Sequence, residues 1–155
     1  MALEFSTAGF KFLYATEATA GTKPSSFTEI PDVVSLSELS LAQQTADVTT
    51  INQTVCHQYI EVLPDAGGTY SLTVNLTSSF KTLWTTLRTA AATAWAAGKA
   101  TWFEIKYPAT SGYTDAFFFK GMPGQLGAPA VEVGTATQGS VTIAIKEVQG
   151  FATAV

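Results

Sequence analysis

His57 is the only histidine of the chain, Cys56 is the only cysteine, and the two are adjacent. A thiol activated by an imidazole is the chemistry such a pair could do. Neighbours in an extended segment point to opposite faces, so these two side chains are not expected to meet. One cysteine and one histidine cannot build a structural zinc site. Glu104 and Asp115 lie on strand-like segments that could pair, and two such acids could work as a glycosidase couple. Acids on strands are more often solvated surface residues. No glycine-rich turn precedes a helix start, so no phosphate cradle is expected. The expectation is therefore a protein that is not an enzyme, with no cofactor and no metal.

Composition supports a different role. The chain has 155 residues, enough for one domain with a core of its own. Charged residues make up only 13%, about half the usual quarter, while 46% are hydrophobic. The 24 threonines fill polar positions with hydroxyls and favour strands. A monomer usually carries more surface charge, so copies or partners are expected to cover much of this surface. The net charge of −4 argues against nucleic-acid binding, and the eight basic residues are scattered along the sequence. No signal peptide is evident, and no run approaches the ~20 apolar residues of a membrane span. A soluble protein made in a reducing cytoplasm is expected, with no internal disulfide.

The elements that would position these residues are mostly strands. Phe10 to Tyr14, Phe27 to Ile30 and Val33 to Leu41 read as the first three, the last with a bulge near Ser37. Tyr59 to Leu63 follows, then a Pro64-Asp-Ala-Gly-Gly turn. Thr69 to Thr77 alternates cleanly, with Tyr70, Leu72, Val74 and Leu76 on one face and Ser71, Thr73, Asn75 and Thr77 on the other. One helix is predicted over about 80–97, capped by Ser78 or Ser79 and closed by Gly98. Phe80, Leu83, Trp84, Leu87, Ala91, Ala94 and Trp95 form its apolar stripe, the expected core of the fold. Thr101 to Tyr107 and Tyr113 to Lys120 read as a hairpin across Pro108 to Gly112. The Phe117 to Phe119 run implies a strand covered on both faces. Strands over Val131 to Thr137 and Ser140 to Val148 close the chain. The expected fold is mainly β, a β-sandwich or flattened barrel with one flanking α-helix, as a single domain over 1–155.

The segment Ala42 to Gln58 stands apart. It is polar, nearly uncharged and free of Pro and Gly, yet it carries the strand formers Val48, Thr49, Thr50, Ile51 and Val55. Loops in compact domains are usually about 4–6 residues, and longer ones tend to be functional or disordered. Its composition disfavours disorder, so the expectation is an arm or extended hairpin whose partner lies outside its own domain.

The order of these features resembles the tail tube protein, or major tail protein, of bacteriophages with long non-contractile tails. Ala46-Asp-Val-Thr-Thr50 resembles the polar motif of that family's inter-ring loop. Tyr59 to Thr69, Tyr70 to Thr77, the helix with Trp84 and Leu87, Trp102 to Pro108, Phe117 to Gly121 and Ser140 to Gly150 continue the likeness, which spans most of residues 30–150. The resemblance implies a structural virion protein that self-assembles into hexameric rings stacked as a hollow tube. That tube surrounds a tape measure protein, joins tail-tip initiator and terminator proteins, and conducts DNA during ejection without binding it specifically. It implies assembly in a host cytoplasm and a place in the virion tail. Gln43, Gln44, Asp47, Thr49, Thr50 and Asn52 would make the inter-ring contact. Thr73, Asn75 and Thr142 would face the lumen, where hydroxyls let DNA pass and cations would hold its phosphates. Other assembly roles on a similar fold, a terminator or a contractile-system tube, are the alternative. A monomeric β-sandwich binding carbohydrate through exposed Trp or Tyr is the third.

Overall fold

The computed structural model describes residues 8–108 and 112–155. Part of the expected turn at Pro108 to Gly112 therefore lies outside the described residues. Nine strands and one helix follow in the order β1 (Lys11–Thr16), β2 (Thr28–Glu29), β3 (Val33–Leu36), β4 (Thr45–Asp47), β5 (Tyr59–Glu61), β6 (Thr69–Asn75), α1 (Ser78–Ala96), β7 (Thr101–Lys106), β8 (Asp115–Pro123) and β9 (Gln138–Thr153). Seven strands form one antiparallel sheet, β2-β1-β7-β8-β9-β6-β3, and β4 and β5 pair only with each other. The fold is mainly β, a curled half-barrel with one helix, as the patterning implied.

A ladder of aromatic rings shows how strongly the sheet curls. Phe12 on β1 and Tyr70 on β6 are four strand steps apart, about 19 Å in a flat sheet. Their ring centroids are 6.0 Å apart, with Phe103 and Phe119 completing the cluster at 5.6 Å from Phe12 and 5.2 Å from Tyr70, respectively. Only Ile30, Pro31 and Asp32 separate β2 at one edge from β3 at the other. Asp32 turns this corner in a left-handed conformation, φ 62°. Its carbonyl accepts the Asn75 N–H, and its carboxylate accepts the Thr77 hydroxyl. Tyr70 lies beside this seam with its hydroxyl buried and unpaired, and burial pushes its pKa up to about 12.

The helix seals the core. Phe80, Trp84, Leu87, Ala91 and Ala94 are buried, and Leu83 is half-buried against the same cluster. Trp84 stacks on Phe80 at 5.6 Å, and its indole N–H donates to the Gly124 carbonyl at 2.9 Å. Two expectations need correction here. Thr77 is the N-cap, since its hydroxyl accepts the Phe80 N–H, the N3 position; Ser78 and Ser79 are already helical. Trp95 is not core. It is 57% exposed, since in the last helical turns Ala91 and Ala94 take the buried face.

The C-terminal half also differs from its reading. Residues 131–137 form no strand; Val131 and Val133 stand out in a loop. β9 instead runs 16 residues and holds both β6 and β8. Its register against β8 shifts twice, so that Gln149 and Lys146 bulge, which lets so long a strand coil with the barrel. Gly121 sits at one shift, where an added Cβ would lie 2.6 Å from Ile143. β3 ends at Leu36 rather than Leu41, and its irregularity falls between Val33 and Ser35 rather than near Ser37.

The Phe117 to Phe119 strand is covered on both sides. Phe119 joins the barrel core, while Phe118 packs with Trp102 and Ala116 on the opposite face, roofed by Phe27, Ala100 and Ala154. Glu17 ties this roof down. Its carboxylate, 4% exposed, accepts the Trp102 indole N–H at 2.8 Å and the Gly21 and Ala100 N–H groups at 3.0 Å each. Burial opposes its charge, but these bonds, with Lys120 nearby, outweigh it and hold the carboxyl below the usual range.

Candidate functional site

The residues singled out for catalysis are kept apart. Glu104 is fully buried and shares a face with its register partner Phe118. Asp115 lies three residues from Phe118 and is exposed on the other face of the pleat. Burial raises the Glu104 pKa; one oxygen accepts the Val155 N–H at 3.3 Å and the other has no partner. Cys56 is a free, exposed thiol. His57 bonds elsewhere: its Nδ1 lies 3.1 Å from an Asp47 oxygen and 3.2 Å from the Thr49 hydroxyl. Among the described residues no group of three acidic, His or Cys side chains could hold a metal, and no helix is long and apolar enough to cross a membrane.

The long polar segment is a hairpin standing off the barrel. β4 and β5 pair in the register Thr45↔Glu61, Ala46↔Ile60 and Asp47↔Tyr59, and an Ala42↔Asp65 bridge extends the ladder to its base. The hairpin thus spans 42–65, longer than the polar composition marked. The six residues expected to make an inter-ring contact all lie on it. Gln43 donates to the Val62 carbonyl at 2.6 Å, and the Gln44 carbonyl accepts the Val62 N–H. Asp47 accepts the Thr49 N–H at 2.8 Å and the Thr49 hydroxyl, while that hydroxyl accepts the Gln58 N–H at 2.8 Å. These bonds hold the Asp47 carboxyl below its ordinary pKa, the two Thr49 bonds more than that from His57. The Thr50 carbonyl closes a tip turn with the Gln53 N–H, and Asn52 is exposed beside it.

These polar groups fasten the hairpin to itself while staying exposed, and apolar side chains stand out among them. Ile51 is 100% exposed and Val55 and Leu63 87% each. The β-formers Ile51 and Val55 were visible in the sequence, but read there as strand signals rather than as contact residues. Isolated exposed apolar residues are ordinary on a surface, whereas a contiguous apolar patch is often functional.

Thr73, Asn75 and Thr142 come together on the outer face of β6 and β9. The pairings Ser35↔Thr73, Thr73↔Ser140 and Ser71↔Thr142 put Ser35, Ser71 and Ser140 on the same face, and Gln138 donates to Asn75 at 3.2 Å. The strip is polar and free of charged residues over this stretch.

A grouping invisible in the sequence lies at the helix C-terminus. A pocket of about 540 Å³ gathers Trp95, Lys99, Lys120 and Lys146, three of the eight basic residues, with Glu17 and Glu147. Lys120 bonds Glu147 at 3.0 Å and lies 3.9 Å from Glu17.

No family model matches the sequence, and no curated protein matches it. Solved structures do match the fold. A chain in the six-fold symmetrised cryo-EM structure of the anti-feeding prophage baseplate aligns with a TM-score of 0.65 and 10% identity, over 97% of each chain. A chain in the tail of an empty GTA particle, refined helically with C6 symmetry, aligns at 0.56 and 10%, over 98% of this chain and all of that one. A chain in an extracellular contractile injection system, from the PVC sheath/tube terminator in its extended state, aligns at 0.54 and 12%, over 97% of this chain and all of that one. At such identities the likeness is one of fold, and it covers both chains almost end to end.

Proposed function

We propose that this chain is a structural subunit of a phage-type tail: it associates with its own kind into rings, six-membered by analogy, that stack as a hollow tube. The single observation that carries this is the near full-length fold match to chains of assembled, symmetric tail-like particles. The low charge of the chain and the apolar tip of the hairpin agree with it. In this reading the 42–65 hairpin bridges rings, with Ile51 and Val55 as its buried contact and Gln43, Gln44, Asp47 and Thr49 holding its shape. The uncharged strip of Thr73, Asn75 and Thr142 faces the channel, through which DNA passes without specific binding. A tape measure protein, a tip initiator and a terminator are its further partners, and the virion tail is its location. The long, non-contractile tail of the sequence resemblance belongs to this proposal too.

A terminator is the second reading, favoured by the PVC sheath/tube terminator among the matched particles. A tube subunit adds rings indefinitely, whereas a terminator stops at one. Negative-stain electron microscopy with light scattering, at rising protein concentration, separates the two. Hollow tubes are expected. Single rings at every concentration replace the tube by the terminator, and a monomer that binds glycans replaces both by a carbohydrate-binding module.

A further inference from the structure

At the C-terminal end of the helix Trp95 forms one wall of the pocket described above, with Ala91 and Met122 also lining it. The Lys146 ammonium lies 4.3 Å from the Trp95 ring centroid. Lys120 is neutralised by its two carboxylates, whereas Lys99 and Lys146 form no ion pair among the described residues. The pocket therefore offers an aromatic wall and, with three lysines against two carboxylates, a net charge of about +1.

The chain between β8 and β9 offers the complement. Its base is fixed near the start of the helix: Trp84 bonds Gly124, the Leu76 N–H donates to Thr137, and Gln138 bonds Asn75. Its tip holds Val131 and Val133, 81% and 101% exposed, on either side of Glu132, which has no ion-pair partner among the described residues. Within its own subunit the tip does not fill the pocket, since Val131 and Val133 stand almost wholly in solvent. A contact that pairs two different surfaces of successive copies is head-to-tail, which generates rings or filaments.

We infer that the tip Val131-Glu132-Val133 of one copy docks in the Trp95 pocket of the next, its valines against the indole and its carboxylate between Lys99 and Lys146. This rests on the self-assembly proposed above and names a contact distinct from the hairpin. The other acid flanked by exposed apolar residues, Glu61, ends β5 on the flank of the hairpin, paired with Thr45, and offers no protruding tip. The hairpin tip itself, 48–56, holds no carboxylate.

The test is a charge swap, read by light scattering against concentration. Glu132→Lys and Lys146→Glu should each raise the concentration at which oligomers appear by about tenfold or more, and the double variant should recover most of that loss. In a Cys56→Ser background, Glu132→Cys with Lys99→Cys should give a disulfide-linked ladder of oligomers under mild oxidation. That arm holds even where a charge variant fails to fold. Wild-type-like assembly of both single variants, or monomers only in the crosslinking arm, overturns the inference while self-assembly stands. So does rescue of Glu61→Lys, rather than Glu132→Lys, by Lys146→Glu. A wild-type chain that stays monomeric at every concentration overturns the self-assembly reading and this contact with it.

Discussion

The barrel and the hairpin spend their side chains in opposite ways. In the barrel the apolar groups turn inward: Phe12, Tyr70, Phe103, Phe119, Phe80 and Trp84 are all 2% exposed or less. In the hairpin the polar groups Gln43, Asp47, Thr49 and His57 bond within the hairpin at its surface, and Ile51 and Val55 are exposed beside them. The first pattern generates stability by removing apolar surface from water. The second fixes a shape and leaves Ile51 and Val55 in water, which in the proposed reading another chain covers. Stability and association should therefore separate by mutation.

The largest blow to stability falls on the barrel. Trp84→Ala removes a fully buried indole, its stack on Phe80 and its bond to Gly124. The expected cost is about 3–5 kcal/mol, read as a lower urea midpoint. A loss below about 1 kcal/mol would mean that the helix does not close the core. Glu17→Ala comes next. It leaves the Trp102, Gly21 and Ala100 donors unpaired under the roof of the second cluster, and a loss of about 3 kcal/mol is expected in the same measurement. Glu17 also gives a sign to test. Its folded pKa is lowered, so its contribution is full above the ordinary carboxylate pKa and is lost as pH falls through the folded value.

How much of this was legible depends on whether the signal was local. The strand Thr69–Asn75 and the helix announce themselves because alternation and helical spacing are short-range patterns, and Tyr70, Leu72, Val74, Phe80, Trp84 and Leu87 obey them. Trp95 fits the helical spacing equally well, yet lies outside. Burial there depends on which helical face meets the sheet, which helical period alone does not encode. The apolar spacing of 131–137 likewise resembles a strand, but β9 had already taken the place beside β6 and β8. The hairpin was legible as an oddity of length, while its outward face was not, because Ile51 and Val55 read alike as strand formers and as contacts. The Trp95 pocket was invisible, since Lys99, Lys120 and Lys146 are gathered only by the curl of the sheet.

A smaller effect with the opposite pH sign is expected at Glu104. Burial raises its folded pKa, so its contribution is full below the ordinary carboxylate pKa and is lost as pH rises through the raised value. Glu104→Gln imitates the protonated acid and keeps an acceptor for the Val155 N–H. Stability measured across pH 4 to 8 should therefore fall less for the variant than for the wild type. Parallel curves would show that the buried carboxyl does not titrate differently on folding.

The smallest change in stability should accompany the largest change in assembly. Ile51→Ser with Val55→Ser replaces two side chains that are 100% and 87% exposed and leaves the Asp47, Thr49 and His57 bonds in place. Surface substitutions of this kind usually stay within about ±0.5 kcal/mol, so thermal unfolding of the subunit should be unchanged. Each valine or isoleucine buried at a contact contributes about 1.5–3 kcal/mol, and a ring repeats that contact at every subunit, so stacked tubes should disappear from micrographs. Rings should survive, because the Trp95 pocket and the Val131-Glu132-Val133 tip are untouched. Glu132→Lys should do the reverse and raise the concentration at which rings form without altering the hairpin. If instead the hairpin variant loses stability along with assembly, the hairpin packs on its own barrel and the contrast between the two regions is false. If it loses neither, the exposed tip is an ordinary surface turn and stacking must be sought on the barrel rim.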